Sequence, residues 1–396
     1  MVVATGRLDY LGDVLDELKA QGLYRELRVL ESEQGATAVF DGREVVNLSS
    51  NNYLGLTTHR ALKRAAIEAV ERYGAGSGSV RTIAGTMSLH QLLEERLAAF
   101  KHTEAALTMQ SGYAANVGAI STLLTDKDVV ISDALNHASL IDGIRLTKAA
   151  RKIYTHKDMD ALEAALKESG GYAHRIVVTD GVFSMDGDIA PLREVVELCE
   201  RYDAISYVDD AHASGVLGAA GRGTTNHFGL DGRVDVQIGT LSKAMGALGG
   251  YVAGTQNLRD LLIQRSRPFL FSTSHPPAVA AACLAAIGVL EGEPQLIERL
   301  WENTRYFKDG LARLGFDTGA SETPITPVIV GEPDRTTLFS ERLFELGVFA
   351  QAIAYPTVAR DKGRVRTIVT ATHTEEELSC ALHAFEQVGR DMALIG

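Results

Sequence analysis

The sequence predicts an α/β fold with a large mixed-sheet domain, an N-terminal arm and a smaller C-terminal α+β domain. From about residue 104, short apolar segments typical of buried strands alternate with helix-length segments. The 396 residues also exceed the usual size of one compact unit. We therefore predict an arm at 1–58, a large domain at 59–292 and a small domain at 293–396.

The N-terminal part is expected to begin with an amphipathic helix at 12–24. A hairpin follows at 38–48, because Asp41-Gly42 is a typical two-residue turn between apolar segments. Residues 59–73 have helical periodicity. The glycine-rich segment 74–85 lacks a preceding strand and the lysine spacing of a nucleotide P-loop, so we interpret it as a mobile segment near the substrate.

The large domain is predicted to alternate strands with helices, and the small domain to contain three more strands. Strands of the large domain are expected at 105–109, 129–132, 175–179 and 249–254, with two more leading into Asp209 and Lys243. Strands of the small domain are expected at 324–330, 348–353 and 364–369. Helices are expected at 89–100, from 114, at 192–202 and 278–314, and at the C-terminal end.

Composition excludes several classes of partner. The net charge of −12 argues against nucleic acids and anionic membranes, so an anionic acyl-CoA would need a local basic patch. The cysteines Cys199, Cys283 and Cys380 are far apart and lack metal-ligand spacing. The first residues contain no signal-peptide core, and no apolar run reaches transmembrane length. These observations predict a cytoplasmic enzyme without a metal.

Lys243 directly follows a probable buried strand and precedes small residues. Desolvation lowers the pKa of a lysine and frees its amine as a nucleophile, as Schiff-base chemistry requires. The alternative is a lysine that extends to solvent at a strand end.

A second strand ends in Asp209, Asp210 and His212. An acid at the carboxyl end of a buried strand lies where α/β sheets bind ligands. Pyridoxal phosphate needs a lysine for its aldehyde and an acid that keeps its ring nitrogen protonated, and Asp209 would supply the acid. His212 could bond the phenolic oxygen of the ring, and the helix that begins after Ser111–Tyr113 suits a phosphate.

These residues lie in blocks that together resemble the α-oxoamine synthases, a branch of the fold-type I pyridoxal phosphate enzymes. The resemblance extends from about residue 20 to the C-terminus. The blocks are Asn51–Gly55, Asp133–Ser139, Thr179–Gly187, Val208–His212, Gly239–Lys243 and Phe271–Ser274. The resemblance implies a homodimer with shared active sites, in which Ser272 or Thr273 binds the phosphate of the other subunit's cofactor.

The resemblance also implies roles for individual residues. The catalytic residues would be Lys243, His137, Asp209 and His212. The cofactor would be bound by Ser111, Gly112, Tyr113, His137, Ser184, Asp209, His212, Thr240, Lys243, Ser272 and Thr273. The amino acid substrate would contact Asn51, Asn52, Ser184 and Arg366.

Three of these roles have alternatives. His137 would stack on the pyridine ring, although the residues alone, without the resemblance, favour a helix cap. Asn51 and Asn52 could form an ordinary Asx turn. Arg366 would pair with the substrate carboxylate, but Arg364 competes because strand alternation puts both arginines on one face.

The function predicted from the resemblance is glycine C-acetyltransferase, which joins glycine to acetyl-CoA and gives 2-amino-3-oxobutanoate. Ser79–Arg81 and the block 133–145 resemble that branch. The segment Phe271–Pro277 looks as much like the 8-amino-7-oxononanoate synthases. The alternative is therefore the decarboxylating condensation of alanine with pimeloyl-CoA in biotin synthesis, or both activities in one enzyme.

Two other classes of protein share part of the pattern. A fold-type I aminotransferase would also contain Asp209 and Lys243, but would transfer an amino group without CoA. A cofactor-free binding protein of the same fold would not need either residue.

Overall fold

The computed structural model describes residues 6–21, 23, 24 and 26–396. The α-helices are α1 (Tyr10–Ala20), α2 (Arg60–Tyr73), α3 (Ser88–Lys101), α4 (Gly112–Leu123), α5 (Ala138–Arg145), α6 (Met159–Lys167), α7 (Leu192–Arg201), α8 (Thr224–His227), α9 (Gln256–Arg265), α10 (Arg267–Leu270), α11 (Pro277–Gly292), α12 (Gln295–Leu314), α13 (Pro333–Glu345) and α14 (Glu375–Asp391). The strands are β1 (Thr37–Phe40), β2 (Arg43–Asn47), β3 (Ala105–Met109), β4 (Val129–Asp133), β5 (Ala150–Tyr154), β6 (Arg175–Asp180), β7 (Ile205–Asp209), β8 (Val236–Thr240), β9 (Gly250–Gly254), β10 (Ile325–Gly331), β11 (Val348–Phe349), β12 (Gln351–Ile353) and β13 (Gly363–Ile368).

A seven-stranded mixed sheet forms the centre of the large domain and confirms the predicted fold class. Its strand order is β3-β9-β8-β7-β6-β4-β5. Strand β9 is antiparallel to both neighbours, and the pairs among β8, β7, β6, β4 and β5 are parallel. The central strands are buried except for the half-buried first residues of β6 and β7, as expected for predominantly apolar strands covered on both faces. Their carboxyl ends therefore meet at one edge of the sheet.

Two three-stranded sheets lie outside the large sheet. In the first, the predicted hairpin of β1 and β2 is present with its turn at Asp41-Gly42, and β2 also pairs in parallel with β11 from the C-terminal part. In the second, the order is β10-β13-β12. The N-terminal hairpin thus joins the C-terminal part through main-chain hydrogen bonds, although the domain limits near 58 and 293 stay predictions.

Several predicted elements differ from the structure. The first helix ends at Ala20, and Gly22 of the predicted range lies outside the described residues. The region 278–314 forms two helices, α11 and α12, because Pro294 follows Glu293 at the break. Strand β5 and helix α6 were not predicted. Strand β5 lies at the sheet edge and contains the adjacent charged residues Arg151 and Lys152, so it lacks the apolar run of a buried strand.

None of the helices within the described residues is by itself long and apolar enough to cross a membrane. The pair α11 and α12 meets the length and composition test together, with a bend of 77° between them.

Candidate active site

A cleft of about 200 Å³ lies at the carboxyl edge of the large sheet. Strands β6, β7 and β8 each end in a polar residue that lines it, namely Asp180, Asp209 and Thr240. This is the position at which α/β sheets bind ligands. The residues that line the cleft are Ser111, Gly112, Tyr113, His137, Ser139, Asp180, Val182, Ser184, Asp209, Ala211, His212, Thr240, Ser242 and Lys243.

Lys243 lies in the turn that follows β8. Burial lowers the pKa of its amine to about 8, and the charge of Arg366 acts in the same direction, while Asp209 and Asp180 oppose the change. Gly246 permits this turn, since its φ is +66° and a Cβ there would lie 2.5 Å from the backbone nitrogen of Thr57. The turn therefore holds a lysine with an unusually available free amine, as predicted for a nucleophile.

Both carboxylate oxygens of Asp209 accept hydrogen bonds. Oδ1 accepts from the backbone N–H of Ala211 at 2.9 Å, and Oδ2 accepts from Nδ2 of Asn116 at 2.6 Å. Asn116 in turn accepts a hydrogen bond from the buried hydroxyl of Tyr207 at 2.9 Å. These donors fix the orientation of the Asp209 carboxylate in the cleft.

The ion pair of Lys101 with Asp210 lies directly behind Asp209 in the chain. The distance from Nζ to Oδ2 is 2.9 Å, and both side chains are at most 1% exposed. Asp210 also accepts from the backbone N–H of Thr224, and Lys101 donates to the carbonyl of Arg222. This pair fixes the chain on which Asp209 and His212 lie.

His137 caps α5 and also lines the cleft, while its stacking on the cofactor ring stays a prediction. As the cap, its side chain accepts from the backbone N–H of Ser139. Burial and the charge of Lys243 lower its pKa, while the Asp209 carboxylate opposes that change. The backbone N–H of His137 donates to Oδ2 of Asp180 at 2.9 Å, and burial together with Asp209 raises the pKa of Asp180 well above its usual value.

Helix α4 begins at one end of the cleft. Ser111 is its N-cap and accepts from the backbone N–H of Ala114 at 3.0 Å. A Cβ at Gly112 would lie 3.3 Å from Cβ of Thr240, so the helix terminus approaches β8 closely. Unpaired first-turn N–H groups and the helix dipole favour an anion here. Tyr113, also in the first turn, is half exposed and donates to Asp142 at 2.8 Å.

His212 is buried beside the cleft, and its Nδ1 lies 2.8 Å from the hydroxyl of Tyr53. Burial lowers its pKa well below the usual value, and the charges of Lys243 and Arg366 reinforce the effect. The imidazole of His212 is therefore neutral at physiological pH.

The structure distinguishes the two candidate arginines on β13. Arg364 is buried, forms an ion pair with Asp186 and donates to the carbonyl of Met185 at 3.1 Å. Arg366 donates to the carbonyl of Ser184 at 3.1 Å, and no carboxylate among the described residues pairs with it. Burial lowers its pKa. Arg366 is thus the arginine that remains available for a substrate carboxylate.

The loop that carries Ser184 is fixed from a second side by His156. Its Nδ1 and Nε2 lie 2.9 Å from carboxylate oxygens of Asp133 and Asp188, respectively. Burial lowers the pKa of His156, but these two carboxylates outweigh it and raise the pKa to about 9. The doubly paired imidazolium joins the end of β4 to this loop.

Five predicted contact residues do not line the cleft of this chain, namely Asn51, Asn52, Ser272, Thr273 and Arg366. Asn52 donates to the carbonyl of Gln34 and to the hydroxyl of Thr57. Oδ1 of Asn51 is buried and has no hydrogen-bond partner among the residues that the structure describes. Ser272 and Thr273 lie in the segment after α10, where Thr273 forms an antiparallel bridge with Val80. Their roles remain predictions.

The sequence reasoning missed several residues that position the site. Asn116 bonds both Asp209 and Ser139, and Ser139 lies 2.8 Å from Nδ1 of His137. Asn116 is the one polar residue among the buried residues of α4, and its position among small and apolar neighbours was the signal that the sequence offered. Tyr53 lies within the block 51–55, but the sequence-based prediction assigned no role to it.

The residues of the cleft fit pyridoxal phosphate. A lysine with a lowered pKa lies near a carboxylate that can hold a proton on a ring nitrogen, and a helix N-terminus flanked by Thr240 and Ser242 offers a phosphate site. His137 and His212 also line this cleft.

Comparisons with known proteins agree with this chemistry. The family model of aminotransferase class I and II matches residues 43–385. The 8-amino-7-oxononanoate synthase of Symbiobacterium thermophilum is 63% identical over 98% of this chain and 99% of its own. That of Exiguobacterium sibiricum is 62% identical with the same coverage. A serine palmitoyltransferase from S. paucimobilis, solved with a bound PLP–myriocin aldimine, has a TM-score of 0.93 and 30% identity over the whole of both chains.

The chain therefore belongs to the aminotransferase class I and II family of fold-type I PLP enzymes, and within it to the α-oxoamine synthases. Its cofactor is pyridoxal phosphate, as the sequence predicted. The protein is a PLP-dependent enzyme of the acyltransferase type.

The predicted glycine C-acetyltransferase activity is wrong. Relatives that match this chain over nearly its full length, including one from Bacillus subtilis at 56% identity, are 8-amino-7-oxononanoate synthases. The error arose because the blocks around Ser79–Arg81 and 133–145 were given more weight than Phe271–Pro277. In the structure Arg81 is buried and forms an ion pair with Glu94.

Proposed function

We propose that this protein is an 8-amino-7-oxononanoate synthase. It would condense alanine with a pimeloyl thioester, release carbon dioxide and give the biotin precursor. The observation that carries the proposal is the identity of 63% over 98% of the chain to a synthase of that name. The pimeloyl group would be presented as pimeloyl-CoA, and a cytoplasmic location stays a prediction.

The cofactor would be held by residues from several elements of the cleft. Lys243 would bind its aldehyde through Nζ, and Asp209 would hold a proton on its ring nitrogen. Ser111, Gly112 and Thr240 would bind its phosphate. Tyr113 and His137 would lie against its ring, and Ser184 and His212 would lie near its phenolic oxygen.

When bound, pyridoxal phosphate supplies an electron sink that stabilises negative charge on the amino acid Cα. Arg366 would orient alanine by a bidentate pair with its carboxylate, with Asn51, Asn52 and Ser184 as further contacts. The amine of alanine would replace Nζ of Lys243 at the cofactor aldehyde. The released Nζ would then remove the Cα proton, a role that suits an amine whose pKa is about 8. His137 would position the acyl group for attack and donate a proton to the oxygen that develops negative charge.

A direct test of these roles is the variant Lys243→Ala. It should lose turnover of alanine with pimeloyl-CoA, and borohydride should no longer fix the cofactor to the chain. Peptide mapping of the reduced wild-type enzyme should locate the cofactor on Lys243. Attachment to another lysine would contradict the central assignment.

The second part of the proposal is a homodimer with shared active sites. Ser272 and Thr273 do not line the cleft of their own chain, which leaves them available for the phosphate site of a second copy. Mixing the inactive variant Lys243→Ala with a variant in which Ser272 and Thr273 are alanines should restore about a quarter of wild-type sites by random exchange. No recovery from mixed and refolded subunits would contradict shared sites.

A further inference from the structure

Tyr53 is buried beside the cleft and contacts a residue of the proposed cofactor site. Its side chain is 1% exposed, and its hydroxyl lies 2.8 Å from Nδ1 of His212. The two rings meet edge to face, with their centroids 6.2 Å apart and their planes at 86°. Tyr53 comes from the loop between β2 and α2, outside the large sheet, so the contact joins two separate parts of the fold.

The protonation states of both partners follow from their surroundings. Burial and the positive charges of Lys243 and Arg366 lower the pKa of His212 well below its usual value, so its ring is neutral. Burial raises the pKa of Tyr53, so its phenol keeps its proton. A neutral imidazole has one nitrogen that donates and one that accepts. The hydrogen bond to Tyr53 therefore selects one of two tautomers of His212.

The direction of this hydrogen bond is decided by the partners of the Tyr53 hydroxyl. Within the described part of the chain, His212 is its one hydrogen-bond partner. If Nδ1 were the donor, the phenol hydrogen would be buried without an acceptor, which is unfavourable. The hydroxyl therefore donates to Nδ1, and the hydrogen of the imidazole lies on Nε2.

We propose that Tyr53 is a positioning residue that fixes His212 as the Nε2–H tautomer, so that His212 offers a donor to the phenolic oxygen of the cofactor. The contribution of Tyr53 to turnover rests on the proposed role of His212. The tautomer itself does not depend on the substrate. The backbone of Tyr53 supports the arrangement, because its carbonyl accepts from the N–H of Ala371 at 2.7 Å and holds the ring in place.

The tautomer can be measured in the apoenzyme by ¹⁵N NMR of histidine-labelled protein. The His212 signals are identified by their loss in His212→Gln. In wild-type enzyme Nδ1 should resonate as an unprotonated nitrogen and Nε2 as a protonated one. In Tyr53→Phe the two nitrogens should shift toward intermediate values, because neither tautomer is then preferred.

The matched control is Tyr251→Phe, which removes another buried phenol, one that bonds Ser214 at 2.8 Å. It should leave the His212 signals unchanged. A wild-type spectrum with the proton on Nδ1 would overturn the proposal without any variant, so the test holds even if Tyr53→Phe does not fold. Identical His212 signals in wild type and Tyr53→Phe would overturn it as well.

In the loaded enzyme, Tyr53→Phe should lower kcat roughly 2- to 10-fold, the effect of one net hydrogen bond, with little change in KM for the amino acid. The same substitution made on His212→Gln should have no further effect on kcat. If the proposed substrates are wrong, neither the wild type nor any variant will turn them over, but the NMR result will still hold. A rise in KM with unchanged kcat would instead place Tyr53 at the substrate and contradict the proposal.

Discussion

Replacing Lys243 by methionine should stabilise the apoenzyme while it abolishes turnover. The folded protein holds the amine where burial lowers its pKa from 10.5 to about 8. That change corresponds to roughly 3 kcal/mol of destabilisation of the ammonium form. Methionine has a similar length and no charge, so the folded state loses this penalty. The wild-type protein is thus predicted to be less stable than Lys243→Met because it keeps a free amine buried in the cleft.

The pH dependence of this effect follows from proton linkage. Between pH 8 and 10.5 the unfolded chain binds more protons at Lys243 than the folded chain does, so wild-type stability rises with pH across that window. The advantage of Lys243→Met is therefore largest below pH 8 and disappears above pH 10.5. For 396 residues the unfolding entropy is about 0.8 kcal/mol/K, so the expected rise in Tm is about 4 °C at pH 7.

The assay is calorimetry of the two apoproteins at several pH values. Lys308→Met is the matched control, because burial lowers the pKa of Lys308 to about 8 as well, but its amine donates to the carbonyls of Ser321 and Thr323. Its replacement leaves these acceptors unpaired and should lower Tm. Equal melting of wild type and Lys243→Met at all pH values would refute the argument that Lys243 is held as a destabilised ammonium.

Three further predictions concern individual side chains. Arg366→Ala should weaken amino acid binding by roughly 2–5 kcal/mol with little loss of cofactor. Arg364→Ala should mainly lower Tm. A larger rise in the KM for the amino acid in Arg364→Ala than in Arg366→Ala would identify Arg364 as the carboxylate partner. In denaturant titrations, Lys101→Met should lower the free energy of unfolding by roughly 3–5 kcal/mol, because it leaves Asp210 buried and unpaired. A second change, Asp210→Leu, should recover part of the lost stability. His156→Gln should destabilise the protein by roughly 1–3 kcal/mol below pH 6.5, and the difference should vanish as pH rises through about 9. The reason is that a group with a raised pKa stabilises the folded state only while it is protonated. A difference in stability that grows with pH would contradict the paired imidazolium.

The sequence predicted the parts of the fold that depend on local patterns. Buried strands such as β6 and β8 are rich in apolar residues, and each ends in a polar residue that lines the cleft. Lys243, Asp209 and the cofactor could therefore be inferred together. Strand β5 was missed because this edge strand lacks an apolar run. The pairing of β2 with β11 joins residues about 300 apart, which no local pattern contains.

The side chains that support the site were harder to predict. Asn116 bonds Asp209 from a helix 93 residues earlier, and Tyr53 reaches His212 across 159 residues. Their hydrogen bonds arise only from the tertiary arrangement. The sequence could not decide between Arg364 and Arg366 for the same reason. Both arginines lie on one strand face, and only the ion pair of Arg364 with Asp186 distinguishes them.

The choice of substrate was the one functional error, and it has a physical cause. Glycine and alanine differ by one methyl group, and packing against such a group discriminates only about 10- to 200-fold. Small differences in the cleft wall therefore decide the activity, and the short motifs do not record them. Similarity over the full length of the chain includes all residues of the cleft wall, and it favours 8-amino-7-oxononanoate synthase.

The most direct test of the proposed function is the ratio of kcat/KM for alanine with pimeloyl-CoA to that for glycine with acetyl-CoA. It is measured on the purified holoenzyme, with carbon dioxide and free CoA quantified for each pair. We expect the ratio to exceed one clearly and carbon dioxide to form in equal amount with CoA in the alanine reaction. A ratio well below one, with CoA released from acetyl-CoA and no carbon dioxide, would contradict the assignment as an 8-amino-7-oxononanoate synthase.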